Sequence, residues 1–410
     1  MLFVISKSLV SESKFRYNKK SAVLSDRNIA RSSMAEKKYF PELDKLRGIA
    51  ILMVLLYHSV IVYPVNLLDI HWCRLLHSAL WLVEMPIFFL VSGFCFQYHE
   101  NYGCYIRKKA LRLLVPHFVF GVLDMLPRVM ESPLVNESYP GVDAFRELLL
   151  YASNEWFLWT LFLIFLIAPL LRAVLYKNRA ARIGLFTVVL LLSLVHNIVT
   201  PLFSLKNASY FLVYFVIGML LRYRHDYHKD KESCNKNSIA IKKILCAVLC
   251  FGIGLWLFYI LQWEGWNGFD ELWRVKFGRW VQPVIEILTV QFYPAVTLLK
   301  LIKALLEMAV VLLWIMALYQ LAGLMSDGVV SRILNVCSRY SLQMYLLDGY
   351  ALVLTRTLLV SICGLQNPAM IIAGNFVADT AIVLLVSKYI LDRFLVLRVL
   401  SGLLRGNKDK

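Results

Sequence analysis

The sequence predicts an all-α protein, a polytopic membrane bundle of about ten transmembrane helices with both termini in the cytoplasm. Three observations lead there. Of the 410 residues 59% are hydrophobic and only 17% are charged, well short of the charge that a soluble domain carries. The mean hydropathy is +0.63. The apolar residues also lie in long blocks, and a helix needs about 20 of them in succession to cross a bilayer. Ten blocks qualify as spans: 46–64, 75–97, 112–128, 155–173, 183–200, 208–222, 243–262, 304–324, 340–362 and 369–391. The third is short and contains Asp124, and the sixth is also short.

An even number of spans brings both ends to one side. With that threading, 34 of the 44 Lys and Arg residues fall on the side of the termini and 10 on the other. Cytoplasmic loops accumulate Lys and Arg, so the termini are placed in the cytoplasm. The same bias accounts for the formal charge of +17 without a nucleic-acid partner; the partner it implies is the lipid bilayer. Residues 283–303 are apolar but interrupted by Glu286, Gln291 and Pro294. They are expected to form an interfacial or re-entrant segment on the outer side.

Three parts follow along the chain. Residues 1–38 form a basic, polar extension expected to be disordered; Met34 is a plausible start, and what precedes it is expected to be dispensable. Residues 39–395 hold the membrane domain, and 396–410 a basic cytoplasmic tail. The eight cysteines form no CxxC pair and mostly lie in apolar segments, where a thiol behaves as a small hydrophobe. No disulfide framework or metal site is expected. The connector 223–242 reads as solvated, including His225 and His228. Gly93 is expected to allow a close helix approach or a turn.

The chemistry concentrates in PELDKLRGIAILMVLLYH, residues 41–58. Charged groups in a bilayer are costly and call for a reason. Eleven helical residues advance about 1,100°, roughly 20° past three turns, so Arg47 and His58 share one face about 16 Å apart along the axis. Asp44, three residues before Arg47, is placed to pair with its guanidinium. This polar stripe suits a long phosphate-bearing donor such as acyl-CoA. Arg47 would hold phosphate at the cytosolic mouth, and His58, the side chain best matched to proton transfer near neutral pH, would meet the thioester. The plainer alternative is that Arg47 snorkels to the interface and His58 bonds a helix neighbour.

LDKLRGIAILMVLLYH resembles the opening helix of the acyltransferase 3 family, membrane enzymes that O-acylate sugars and other acceptors. The family's Arg and His fall on Arg47 and His58. MPIFFLVSGF (85–94), YIRKKALRLLVPHF (105–118), Glu155-Trp156-Phe-Leu-Trp159 and SLQMYLLDGY (341–350) follow in the family's order, so the resemblance covers roughly 39–392. It implies transfer of an acyl group, acetyl first among them, from cytoplasmic acetyl-CoA as co-substrate to a hydroxyl of a glycan or lipid-linked sugar. It also implies a bacterial inner membrane and no bound cofactor. Two departures stand out. Lys108, Lys109 and Arg112 occupy the place of an Arg-x-x-Arg pattern, and Asp348 replaces the His of a YLLH-type motif.

Other groups are placed by depth. His58 lies about 9 Å and Glu84 about 14 Å from the outer ends of their spans, close enough for Glu84 to hold the second ring nitrogen of His58. Asp348 and Asp379, each near mid-span, are further candidates for that partner. Lys108, Lys109 and Arg112 would dock nucleotide phosphates beside Arg47, or simply mark a cytoplasmic loop. Trp156 and Trp159 are expected in an outer aromatic belt. His58 would act as a general base on the acceptor hydroxyl or as a nucleophile that briefly holds the acyl group. Two rivals are a secondary transporter or flippase of a glycan or lipid precursor, which predicts inverted repeats that the sequence lacks, and a glycan-binding scaffold with an inactive stripe.

Overall fold

The computed structural model describes residues 40–98, 101–129, 146–151, 155–227, 236–262 and 298–403. The extension 1–38, most of segment 283–303, His228 and the last residues of the basic tail lie outside them. Among the described residues the structure is helical throughout, with twelve α-helices. These are α1 (Pro41–His58), α2 (His71–Phe94), α3 (Tyr102–Val129), α4 (Trp156–Lys177), α5 (Arg179–Leu194) and α6 (Leu205–Tyr227). They continue with α7 (Lys236–Leu261), α8 (Leu298–Leu324), α9 (Val329–Arg339), α10 (Ser341–Arg356), α11 (Pro368–Val386) and α12 (Leu395–Leu400). Short π turns extend α10 through Ile362 and α11 through Leu391.

Among the described residues seven helices are long and apolar enough to cross a membrane. They match the second, fourth and sixth to tenth of the expected spans. The other three expected spans are helical but fall short for identifiable reasons. α1 has 18 residues and devotes its first turns to Glu42, Asp44, Lys45 and Arg47. α3 carries Arg107, Lys108, Lys109 and Arg112 within its first turns. α5 has 16 residues, about 24 Å against a hydrocarbon core of about 30 Å.

Small residues fix the crossings that matter. A Cβ on Gly93 would strike the backbone carbonyl of Phe215, and one on Gly218 the carbonyl of Leu90. α2 and α6 therefore meet backbone to backbone, as small residues permit in membrane bundles. Phe89 stacks on Phe211 beside this contact, with centroids 4.5 Å apart. Gly48 does the same for α1, which lies directly on the Leu334 carbonyl of α9. Lys45 donates from Nζ to the Met325 carbonyl at 2.7 Å, satisfying a carbonyl just past the end of α8 that the helix leaves unpaired. α7 packs along α8 and α10 along α11. Outward, α7 presents Val248, Phe251, Trp256 and Tyr259, an apolar face suited to lipid.

Candidate active site

α1 starts with proline and two acidic residues in its first turn, a composition that favours a helix N-terminus. It ends at His58 rather than at the expected residue 64. Ser59 Oγ turns back to the Leu55 carbonyl at 2.7 Å, and the β-branched run Val60–Ile61–Val62 leads away to Pro64. His58 is thus the last helical residue. Just beyond it, Val60, Ile61, Leu67, Cys73, Ile371 and Ile372 form a buried apolar cluster.

The Nδ1 of His58 is hydrogen-bonded to Oδ2 of Asp348 on α10. A carboxylate accepts, so this bond puts the ring proton on Nδ1 and turns the Nε2 lone pair outward. Asp348 is 2% accessible, whereas 40% of the His58 side chain is accessible. His58 is therefore partly accessible while the carboxylate that holds it is sealed. Glu84 on α2 is buried, lies within charge range of both His58 and Asp348, and leaves Oε2 without a hydrogen bond. The carboxylate that holds the His58 ring is accordingly Asp348, while Glu84 stands beside the pair. Asp379 on α11 is fully buried next to Asp348. Four helices converge on one imidazole.

At the other end of α1, Arg47 pairs with Asp44 at 3.4 Å, and each side chain is 30% accessible. Asp44 also accepts from Ser338 Oγ of α9 at 3.4 Å. The guanidinium of Arg47 reaches Cys95, which Arg222 of α6 approaches as well. Arg112 of α3 lies within charge range of Arg47. Arg47 is paired with Asp44, and Arg222 with Asp226 at 2.9 Å, so the mouth gathers guanidinium groups from three helices with carboxylates beside two of them.

The basic trio on α3 is divided. Arg112 is brought to Arg47, but Lys109 places its ammonium over the Phe165 ring, 3.7 Å from the centroid, and near Tyr105. That cation–π contact occupies the Lys109 ammonium, which also lies within charge range of Arg112, and Lys108 lies on the exposed face. Trp156 and Trp159 are half-buried and pack on neighbouring rings: Trp156 stacks on Phe211 with centroids 5.4 Å apart, and Trp159 lies 5.3 Å from His117. Arg222 was not among the residues that the sequence singled out. Its signal was its place as the first basic residue after the apolar run of α6.

The arrangement is an imidazole oriented by a carboxylate, with a cationic mouth three helical turns away on the same helix. Such a pair can take a proton from a hydroxyl and return it to a leaving group, and the mouth can hold a polyanion. Among the described residues no three His, Cys, Asp or Glu side chains gather as metal ligands. A family model described as an acyltransferase domain matches residues 40–387, which contain both ends of the stripe. No curated protein and no solved structure matches the chain. With a match over most of its length, the chain belongs to the acyltransferase 3 family and is a membrane acyltransferase.

Proposed function

We propose that the protein moves an acyl group, acetyl first among them, from cytoplasmic acyl-CoA to a hydroxyl of a glycan or lipid-linked sugar in a bacterial inner membrane. The observation that carries this reading is the His58–Asp348 pair at the far end of the helix that opens with Asp44 and Arg47. Arg47 and Arg112 take the nucleotide phosphates, and the pantetheine arm runs along α1. Its thioester meets His58 about 16 Å from Arg47.

The acceptor oxygen attacks the thioester carbonyl carbon while its proton passes to Nε2 of His58. Asp348 holds the ring and stabilises the imidazolium that forms. The tetrahedral intermediate collapses, the C–S bond breaks, and the imidazolium proton goes to the departing thiolate. The products are an ester and free CoA, with His58 returned to its starting state. The Nδ1 bond to Asp348 leaves Nε2 as the free lone pair that this step requires.

The test uses membranes containing the protein and acetyl-CoA labelled in its acetyl group. Label is expected in a glycan or lipid-linked sugar fraction, in a form released by mild alkali as an ester is, and absent with His58→Ala. Label that persists in the His58→Ala membranes would contradict the role of His58.

A further inference from the structure

A pocket of about 330 Å³ opens between α1, α2, the end of α7 and the first turns of α8. It lies at the end of the bundle away from Arg47. One wall is aromatic: the Tyr57 ring sits 4.1 Å from His77 and 5.5 Å from Trp81, centroid to centroid. Trp81 is half exposed, so the face it offers is open. The facing wall is polar, formed by Gln262 at the end of α7 and by Lys303 and Glu307 on α8.

Resting on the acyl-transfer reading above, we infer that this pocket binds the acceptor as a single neutral pyranose-class ring and delivers one of its hydroxyls to His58. A pyranose has an apolar C–H face and a rim of hydroxyls. The first suits an aromatic wall, whose ring faces are electron-rich, and the second suits a set of mixed donors and acceptors. An amide, an ammonium and a carboxylate supply both kinds of partner. Lys303 and Glu307 lie within charge range and offset one another, which favours an uncharged ring over a phosphate, and an acyl chain would strand three polar side chains in hydrocarbon. The volume lies at the lower end of small-ligand pockets, about 300–1,000 Å³, which fits one ring.

The pocket is joined to the chemistry through Tyr57. This residue forms the pocket wall, packs against the neighbouring His58 ring at 4.9 Å, and lies within charge range of Glu84. The residues that follow His58, Val60 and Ile61, belong instead to a buried apolar cluster with Ile371, which offers a hydroxyl no partner. A hydroxyl-bearing ring therefore approaches from the side, past Tyr57 and His77.

The experiment uses full-length protein in phosphatidylcholine nanodiscs, free of glycolipid and glycoside detergent. Diazirine-bearing methyl glycosides of glucose, galactose and N-acetylglucosamine serve as probes. At least one is expected to label the peptides containing His77–Trp81 and Lys303–Glu307 saturably, and to be displaced by its unlabelled counterpart. Trp81→Ala and Glu307→Gln should each reduce that labelling at least tenfold, with acetyl-CoA binding at its wild-type value as the check on folding. The inference is overturned if no glycoside labels these peptides. It is equally overturned if a photoreactive phosphatidylcholine fills the pocket and no glycoside competes. Acetyl-CoA binding that ignores Arg47→Ala would remove the donor assignment while saturable labelling still upheld the pocket, so the two failures are distinct.

Discussion

The first turns of α1 hold Asp44 and Arg47 in a 3.4 Å pair with both side chains 30% accessible, whereas its last residue, His58, is fixed to an Asp348 carboxylate that is 2% accessible. An accessible pair of this kind contributes about 0–1 kcal/mol and is screened by salt, so Arg47 can exchange Asp44 for an incoming phosphate at little cost. A carboxylate removed from water behaves otherwise: taking away its partner leaves an uncompensated charge, a loss that reaches about 3–5 kcal/mol where both groups are fully buried. The partial accessibility of His58 reduces that figure here. One end of the helix is built to trade partners, and the other to keep one.

Substitutions that break this contrast should separate binding from turnover. His58→Ala should lower acyl transfer by at least about 10²-fold, measured as initial rate at saturating acetyl-CoA. Asp348→Asn keeps a hydrogen-bonding group but removes the charge that stabilises imidazolium, and should lower kcat by about 10-fold or more with the KM for acetyl-CoA unchanged. Arg47→Ala should raise that KM about tenfold, the value of one charge-assisted hydrogen bond, and the increase should shrink at high salt. Lys109→Gln should change the same KM by less than about threefold, because its charge is spent on the Phe165 ring. A Lys109→Gln effect as large as that of Arg47→Ala would show that the cation–π contact gives way to the donor.

Much of this was legible in the chain. The stripe of Asp44, Arg47 and His58 follows from helical periodicity alone, and the apolar blocks anticipated the seven helices able to cross a membrane. What periodicity does not contain is pairing between helices. The partner of His58 is 290 residues away, and depth counted along separate spans favoured Glu84, which lies close by but does not make the bond. Depth also assumed that the first helix runs to residue 64, whereas Ser59 and the β-branched run after it end the helix at His58. Composition likewise does not reveal that Lys109 lies over an aromatic ring while Arg112, three residues on, reaches Arg47. The replacement of histidine by Asp348 looked like a departure from the family pattern. In the fold it is the group that orients the imidazole.

The division of labour along α1 is tested most directly by the dissociation constant of acetyl-CoA, measured by titration on purified wild-type, Arg47→Ala and His58→Ala proteins. The account predicts a value about tenfold weaker for Arg47→Ala and unchanged for His58→Ala, although the latter no longer transfers the acyl group. Wild-type affinity in Arg47→Ala, or donor binding lost with His58, would contradict it.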